Sequence, residues 1–227
     1  MQGPGSDEEG LAAGDFSSWM ADMKLVVRGE GGADVPCNGC TSCCTSSQFV
    51  HIEPDETETL RRIAPELLFA APRRPAGHVL LGYDERGHCP MLVDERCSIY
   101  EHRPRACRAY DCRVLAAAGV ELDGGDGAKV AIARRVRRWR FSFPTKAAVT
   151  RRDAVRAAAK YLDDHASVLP EGTVPRGGTQ LAVLAIAIHD LFVTSNGEND
   201  QPTVLEPEPE IVHAALRAIG SQRTSTQ

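Results

Sequence analysis

The sequence has few aromatic residues, no long hydrophobic run and no excess of positive charge, and each shortage excludes a class of protein. Aromatic side chains make up 5% of the 227 residues, so a folded core must be built from Leu, Val, Ile and Ala. The formal charge of −5 excludes a protein that coats nucleic acid through overall positive charge. The longest apolar run, from Leu181 to Ile188, is far shorter than the roughly 18 residues that cross a bilayer.

The N-terminal sequence MQGPGSDEEG is acidic and rich in glycine. A secretory signal begins with basic residues and continues with an apolar segment, so we expect a cytoplasmic protein without a membrane or nucleic-acid partner. Disulfides are rare in the reducing cytoplasm, and the eight cysteines of the chain therefore need another explanation. Metal binding is the leading one.

Half of the cysteines lie within eight residues, in the stretch CNGCTSCC; they are Cys37, Cys40, Cys43 and Cys44. Two cysteines separated by two residues can bind one metal ion. The adjacent side chains of Cys43 and Cys44 diverge by about 100° on a helix and about 180° on a strand. This adjacent pair therefore suits two metal ions, or two irons of one cluster, better than a single ion.

The remaining cysteines form a distal group with uneven spacing; they are Cys89, Cys97, Cys107 and Cys112. On one continuous helix, Cys107 and Cys112 would point about 140° apart. Thiolate sulfur suits zinc, iron and iron–sulfur clusters. Eight thiolates could complete two four-sulfur sites, or hold one four-cysteine cluster with thiols left over, and the spacing alone does not choose between them.

The pattern of the chain predicts an α+β fold, with a small cysteine-rich metal-binding unit that contains a short antiparallel sheet, followed by a mostly helical C-terminal region. Strands are expected at residues 78–83, 91–93 and 97–100. Helices are expected at residues 16–27, 54–63, 105–118, 130–141, 151–166, 180–194 and 210–219.

We expect four regions along the chain. Residues 1–35 are predicted as a flexible tail with a short helix, residues 36–145 as the cysteine-cluster metal-binding domain, residues 146–220 as a helical region that packs on it, and residues 221–227 as a second tail. The arginine-rich run at residues 134–140 is interpreted as the solvated face of a helix.

The two cysteine motifs together resemble a known family. CNGCTSCC, followed by CPMLVDERCSIYEHRPRACRAYDC, is similar to the YkgJ-like cysteine-cluster family with its CxxCxxCC signature. The resemblance covers about a third of the chain and rests on the eight cysteines and on Pro90, Ile99, Tyr100, Arg103, Pro104 and Arg108. It implies that the eight cysteines chelate zinc or iron.

Some relatives in that family occur in flagellin lysine methylases with an iron–sulfur cluster, and others accompany peptide-modification systems. Outside residues 37–112 we recognise no methylase motif, such as a glycine-rich cofactor loop after a strand, so neither activity transfers to this chain. Three hypotheses follow: a cytoplasmic metal-binding module, an iron-dependent redox or peptide-modifying enzyme, and a zinc-stabilised scaffold for an unknown protein partner. Whether the protein is an enzyme is left open.

Charged and imidazole side chains flank the distal cysteines. Arg103, Arg105 and Arg108 would offset the negative charge of a four-sulfur site or donate to backbone carbonyls. His88 and His102 are alternative ligands.

Overall fold

The computed structural model of the protein describes residues 10–28, 35, 39–122, 127–170, 173–194 and 202–225. Helices and small sheets alternate along the chain, which confirms the α+β prediction. The helices are α1 (Phe16–Arg28), α2 (Thr57–Leu60), α3 (Arg105–Ala109), α4 (Arg113–Ala118), α5 (Val130–Arg138), α6 (Lys146–Asp164), α7 (Gly178–Ile188) and α8 (Pro209–Ser225).

All the strands are short. They are β1 (Leu11–Asp15), β2 (Val50–Ile52), β3 (Leu68–Ala70), β4 (Val79–Leu81), β5 (Leu92–Val93), β6 (Arg96–Cys97), β7 (Trp139–Ser142), β8 (Val193–Thr194) and β9 (Thr203–Val204). Strands β2, β4 and β3 form an antiparallel sheet in that order, and β5–β6 and β8–β9 form antiparallel pairs. The pair β1–β7 is parallel.

The chain divides into two compact units. The first, called here the helical unit, comprises Met1–Arg28, Cys112–Glu121 and Arg138–Gln227. The second, called the cysteine unit, comprises Gly29–Asp111 and Leu122–Arg137. The domain limits predicted from the sequence stay a prediction.

The core of the helical unit is formed by α6, α7, α4 and α1, which pack against one another. Its largest fully buried side chains include Phe16, Leu115, Leu162, Ile186 and Phe192. Helices α1 and α6 carry apolar residues at helical spacing and bury one face, whereas α7 is apolar on most sides. None of the helices in the described part of the chain is long and apolar enough to cross a membrane.

Local signals fix the ends of two of these helices. The Thr145 side chain accepts a hydrogen bond from Ala148 N at 3.1 Å and so caps the start of α6. Helix α4 ends at Gly119, whose φ of 67° lies in the left-handed region that glycine adopts without a Cβ penalty.

The cysteine unit is built on the three-stranded sheet. The inner face of this sheet packs into a core cluster of Ile52, Ile63, Leu81 and Ile99. Cys89 and Cys97 are partly buried against the same cluster. The sheet thus positions two of the distal cysteines directly.

Two long helices predicted from the sequence are interrupted in the structure. The helix expected at residues 105–118 ends at Ala109 and restarts at Arg113. The helix expected at residues 130–141 ends at Arg138 and continues as β7. The alternation of Trp139, Arg140, Phe141 and Ser142 has the period of two that a half-buried strand requires, and it pairs with β1.

The sheet prediction was right for β4 but incomplete. The hairpin β5–β6 is shorter than predicted, and the partners of β4 are β2 and β3, neither of which was predicted. Each of these two strands has only three residues, too few for a periodic pattern to stand out. The helix expected at residues 54–63 is reduced to the single turn α2.

Candidate metal centre

Cys40, Cys43 and Cys44 lie in a tight turn that is held by hydrogen bonds from the hydroxyl groups of the same segment. The backbone N–H of Thr45 donates to Thr41 O at 3.1 Å, and the Thr45 hydroxyl donates to the same carbonyl at 3.2 Å. The Ser46 hydroxyl donates to Ser42 O. Residues 39–47, called here the cysteine loop, therefore curl like one turn of helix, with Cys43 and Cys44 in its middle.

The cysteine loop is docked on the residues that lead to Cys89. The N–H of Cys89 donates to Cys44 O at 2.7 Å, and the N–H of Ser47 donates to Gly87 O at 2.9 Å. These two bonds hold the backbone of Cys44 beside that of Cys89. Two remote parts of the sequence meet here, as the shared-site prediction requires.

This docking depends on a glycine. Gly87 has a φ of 78°, in the left-handed region, and a Cβ added to it would lie 2.3 Å from Ser47 Oγ. A side chain at residue 87 would displace the Ser47 hydroxyl and would strain the left-handed backbone, so the close approach of the two segments favours glycine. Sequence reasoning missed this role, although Gly87 lies in the recognisable turn Asp84-Glu85-Arg86-Gly87.

Cys89 and Cys97 form the best-defined pair of thiols in the distal group. Cys97 pairs with Leu92 in the hairpin, and the N–H of Leu92 donates to Cys89 O at 2.9 Å. Burial raises the pKa of the Cys89 thiol, and the charge of Cys97 raises it further, against the opposing effect of the Met91 backbone N–H. A thiol whose pKa is raised by burial stays protonated unless a cation compensates the charge of its thiolate, and this applies to Cys89.

The segment before Cys37 is held next to the helix that carries Cys107. The N–H of Val35 donates to Arg108 O at 3.1 Å, and Val35 O accepts a hydrogen bond from Arg103 Nη2 at 3.0 Å. Cys107 lies in α3, between these two partners. Cys37 itself falls outside the described residues, as does the tail at residues 1–9.

The arginines near the distal cysteines have different partners. Arg103 is 5% exposed, and its guanidinium lies 4.1 Å from the centre of the Tyr100 ring. Arg105 forms ion pairs with Glu53 and Asp55, the latter at 2.9 Å. Arg103 therefore acts on the backbone before the first cysteine, whereas the charge of Arg105 is offset by carboxylates.

The structure places Cys112 in the helical unit. Its sulfur accepts a hydrogen bond from Trp139 Nε1 at 3.2 Å, and Trp139 belongs to the same unit. The break between α3 and α4 removes the fixed angle that one continuous helix would have imposed on Cys107 and Cys112.

The sulfur atoms of the described cysteines do not form a complete set of metal ligands. In the described ranges, which leave out Cys37, no three His, Cys, Asp or Glu side chains come together closely enough to hold a metal ion. The donors nevertheless suit zinc and iron, since soft sulfur atoms lie partly buried and two of them, in Cys89 and Cys97, interact electrostatically. The ligand set of eight cysteines stays a prediction.

A cavity of about 240 Å³ lies elsewhere on the cysteine unit. Its lining includes Glu56, Glu101, Arg103 and Arg105. Four carboxylates and three arginines are among the described residues that line it, so neither charge is in strong excess, and none of these lining residues is a cysteine.

Comparison with known proteins gives one match. Residues 36–123 match the model of the CxxCxxCC family, described as "Putative zinc- or iron-chelating domain". No curated protein and no solved structure matches the chain. The matched residues include all eight cysteines, so the resemblance that the two cysteine motifs predicted is confirmed over residues 36–123.

Proposed function

We propose that residues 36–123 bind zinc or iron through cysteine thiolates supplied by the cysteine loop and the distal group. The docking of the loop on Gly87 and Cys89 is the observation that carries this proposal, because it brings Cys44 to Cys89. Cys97 lies close enough to affect the charge of Cys89. These three sulfurs are the first ligands that we propose, and Cys40, Cys43 and Cys107 are the further candidates in the same unit.

A metal would supply the positive charge that this group of thiols lacks. Bound zinc or iron would hold the thiols as thiolates and join the loop to the sheet, and an iron–sulfur cluster would in addition carry electrons. Arg103 would hold Val35 against α3 and so fix the start of the cysteine loop. Because free thiols and cysteine-bound metals persist in reducing conditions, we propose the cytoplasm as the location.

The experiment is anaerobic purification of the full chain, followed by zinc, iron and acid-labile sulfide analysis. We expect at least one equivalent of zinc or iron per chain. Acid-labile sulfide with brown colour would identify an iron–sulfur cluster, and colourless protein with zinc would identify a zinc site. A well-folded protein without either metal would refute the proposal.

Single substitutions then identify the ligands. Cys44→Ser, Cys89→Ser and Cys97→Ser should each lower the bound metal, since a serine hydroxyl is a poor replacement for a thiolate. Ser98→Ala is the matched control, because Ser98 directly follows Cys97 and its hydroxyl donates to Met91 O. Equal metal content in all four variants would contradict the assignment of these sulfurs.

Adjacent thiols test whether the site is polynuclear. If Cys43 and Cys44 serve different ions, Cys43→Ser and Cys44→Ser should each remove a separate part of the metal content. If neither lowers it, the idea of two ions or a cluster is wrong. An exchangeable water on iron would favour the enzyme alternative over a purely structural site.

A further inference from the structure

The three-stranded sheet of the cysteine unit has an outer face that points away from its core. Side chains alternate along a strand, and Val79 and Leu81 pack on the core, so Leu80 lies on the opposite face. His51 and Phe69 pair with Leu80 across the sheet. They therefore share this surface, which we call the outer face.

An aromatic cluster occupies one end of the outer face. Phe49, Phe69 and Tyr83 are 57%, 45% and 41% exposed. The Phe49 ring centre lies 5.7 Å from that of Phe69 and 4.9 Å from that of Tyr83. Both phenylalanine rings lie over Gly82, where an added Cβ would be 3.3 Å from Phe69 Cε1. Contiguous exposed aromatic surface of this kind marks interaction sites, and this chain has few aromatic residues to leave exposed.

A basic turn occupies the other end of β4. Arg73 and Arg74 are exposed between Pro72 and Pro75, and within the described ranges no carboxylate forms an ion pair with either of them. Arg73 has a φ of 60°, which costs a non-glycine residue about 1–2 kcal/mol. Proline fixes φ on both sides of the pair, so the two guanidinium groups are presented from a restrained backbone.

The two ends are joined by a pair of histidines. His51 Nε2 lies 3.0 Å from His78 Nδ1, and the two rings are stacked. Four residues of extended chain, about 13 Å at 3.3 Å per residue, separate His78 from Gly82. A ligand that contacts both ends is therefore extended and about four residues long or more.

We propose that the outer face binds an extended acidic peptide segment of a partner protein, with an aromatic or aliphatic side chain on the Phe49–Phe69–Tyr83 cluster and carboxylates on Arg73 and Arg74. Charge complementarity favours an anionic partner, since neither guanidinium group has one among the described residues. This proposal does not depend on which metal the cysteines bind.

The ring geometry favours a peptide over single-stranded nucleic acid. Bases stack on open ring faces along a track of cations. Here the Phe49 and Phe69 rings meet edge to face, with an interplanar angle of 89°. In the part of the chain that the structure describes, the arginines offered here beside these rings are Arg73 and Arg74, which are too few to form a track of cations along a nucleic-acid backbone. The irregular apolar surface over Gly82 fits a single side chain better than a stack of bases.

The test is selection of displayed random 12-residue peptides on the immobilised full chain, followed by fluorescence anisotropy with the enriched peptides. We expect enriched peptides to combine Asp or Glu with an aromatic or aliphatic residue. Two double variants, Phe49→Ser with Phe69→Ser and Arg73→Glu with Arg74→Glu, should each weaken binding at least about tenfold. Val168→Ser and Arg176→Glu, which change exposed residues of the helical unit, should leave it unchanged.

Three results would overturn the proposal. The first is an absence of enrichment, or enriched peptides whose affinity neither double variant changes. The second is tighter binding of a fluorescein-labelled uridine 20-mer that both double variants abolish, which would assign the face to nucleic acid. The third is a concentration-dependent dimer, measured by sedimentation, that the phenylalanine variant dissociates. Circular dichroism and metal content of every variant verify that the cysteine unit stays folded.

Discussion

Replacing Gly87 by alanine should detach the cysteine loop from the distal cysteines. The left-handed φ of 78° at this position costs an alanine about 1–2 kcal/mol. The new Cβ would lie 2.3 Å from Ser47 Oγ but 3.5 Å from Ser47 Cβ, so the Ser47 hydroxyl must rotate or the loop must shift, and we expect the shift. A shift of the loop would break the bonds from Ser47 to Gly87 and from Cys89 to Cys44, each worth about 0.5–1.5 kcal/mol. The combined loss is ~2–5 kcal/mol.

Urea unfolding monitored by circular dichroism measures this loss, and competition with a chromophoric chelator measures metal affinity. Both should fall in Gly87→Ala, since the docking is what brings Cys44 to Cys89. Gly39→Ala is the matched control, because Gly39 has the same φ of 78° but an added Cβ would meet no atom of the described residues within 4 Å. It should lose only about 1–2 kcal/mol.

A second substitution tests the collision itself. Combining Gly87→Ala with Ser47→Gly removes the hydroxyl and the Cβ that the alanine meets, and it also relieves the φ of 51° at Ser47. The double variant should regain metal affinity relative to Gly87→Ala alone. If Gly87→Ala were as stable and bound metal as tightly as Gly39→Ala, the docking argument would be refuted.

Three further predictions concern charged and titratable side chains. Arg103→Gln should lose the bond to Val35 O and the Tyr100 contact. It should destabilise the cysteine unit by about 1.5–3 kcal/mol and weaken metal binding. Arg61→Gln removes only an exposed ion pair with Glu58 and should change neither the stability nor the metal affinity. Burial lowers the pKa of His189. The stability that neutral His189 contributes to the helical unit is therefore complete above the unfolded pKa of about 6.5 and is lost as the pH falls below that value. Between pH 7.5 and 5, the midpoint of urea unfolding should fall less in His189→Gln than in the unmodified chain or in His213→Gln. The Arg105 side chain lowers the pKa of Asp55, so Arg105→Gln should raise that pKa in an NMR titration of the carboxyl carbon, and an unchanged value would contradict the ion pair.

The sequence predicted the features that repeat or that have distinctive chemistry. The amphipathic helix at residues 16–27 and the apolar helix at residues 180–194 were recognisable by period, and in the structure α1 and α7 cover most of them. The last residues of the second region form a 3-10 turn and β8 instead. Cysteine spacing gave the family match without any knowledge of the fold.

Features that depend on contacts between remote residues were not predictable. β3 has only three residues, and the antiparallel pairing with β4 that defines it as a strand cannot be read from such a short stretch. The same limit explains why the roles of Val35, Ser47 and Gly87 were missed: each depends on a partner at least 40 residues away. In the arginine-rich run, the helical period of α5 and the strand period of β7 meet at Trp139. Pairing with β1 makes the residues from Trp139 onward a strand instead of a continuation of the helix.

The contents of the two cores explain why a metal would matter more to one unit than to the other. The helical unit buries large side chains from several helices, including Phe16, Leu162 and Phe192, and can stabilise itself by the hydrophobic effect. The core cluster of the cysteine unit consists of four aliphatic residues beneath strands of three residues. Small cores of this kind usually need a disulfide or a metal to offset the entropy of ordering the chain. The thiols of Cys89 and Cys97 pack on that same cluster, so an ion bound there would stabilise the sheet where its own hydrophobic contacts are fewest.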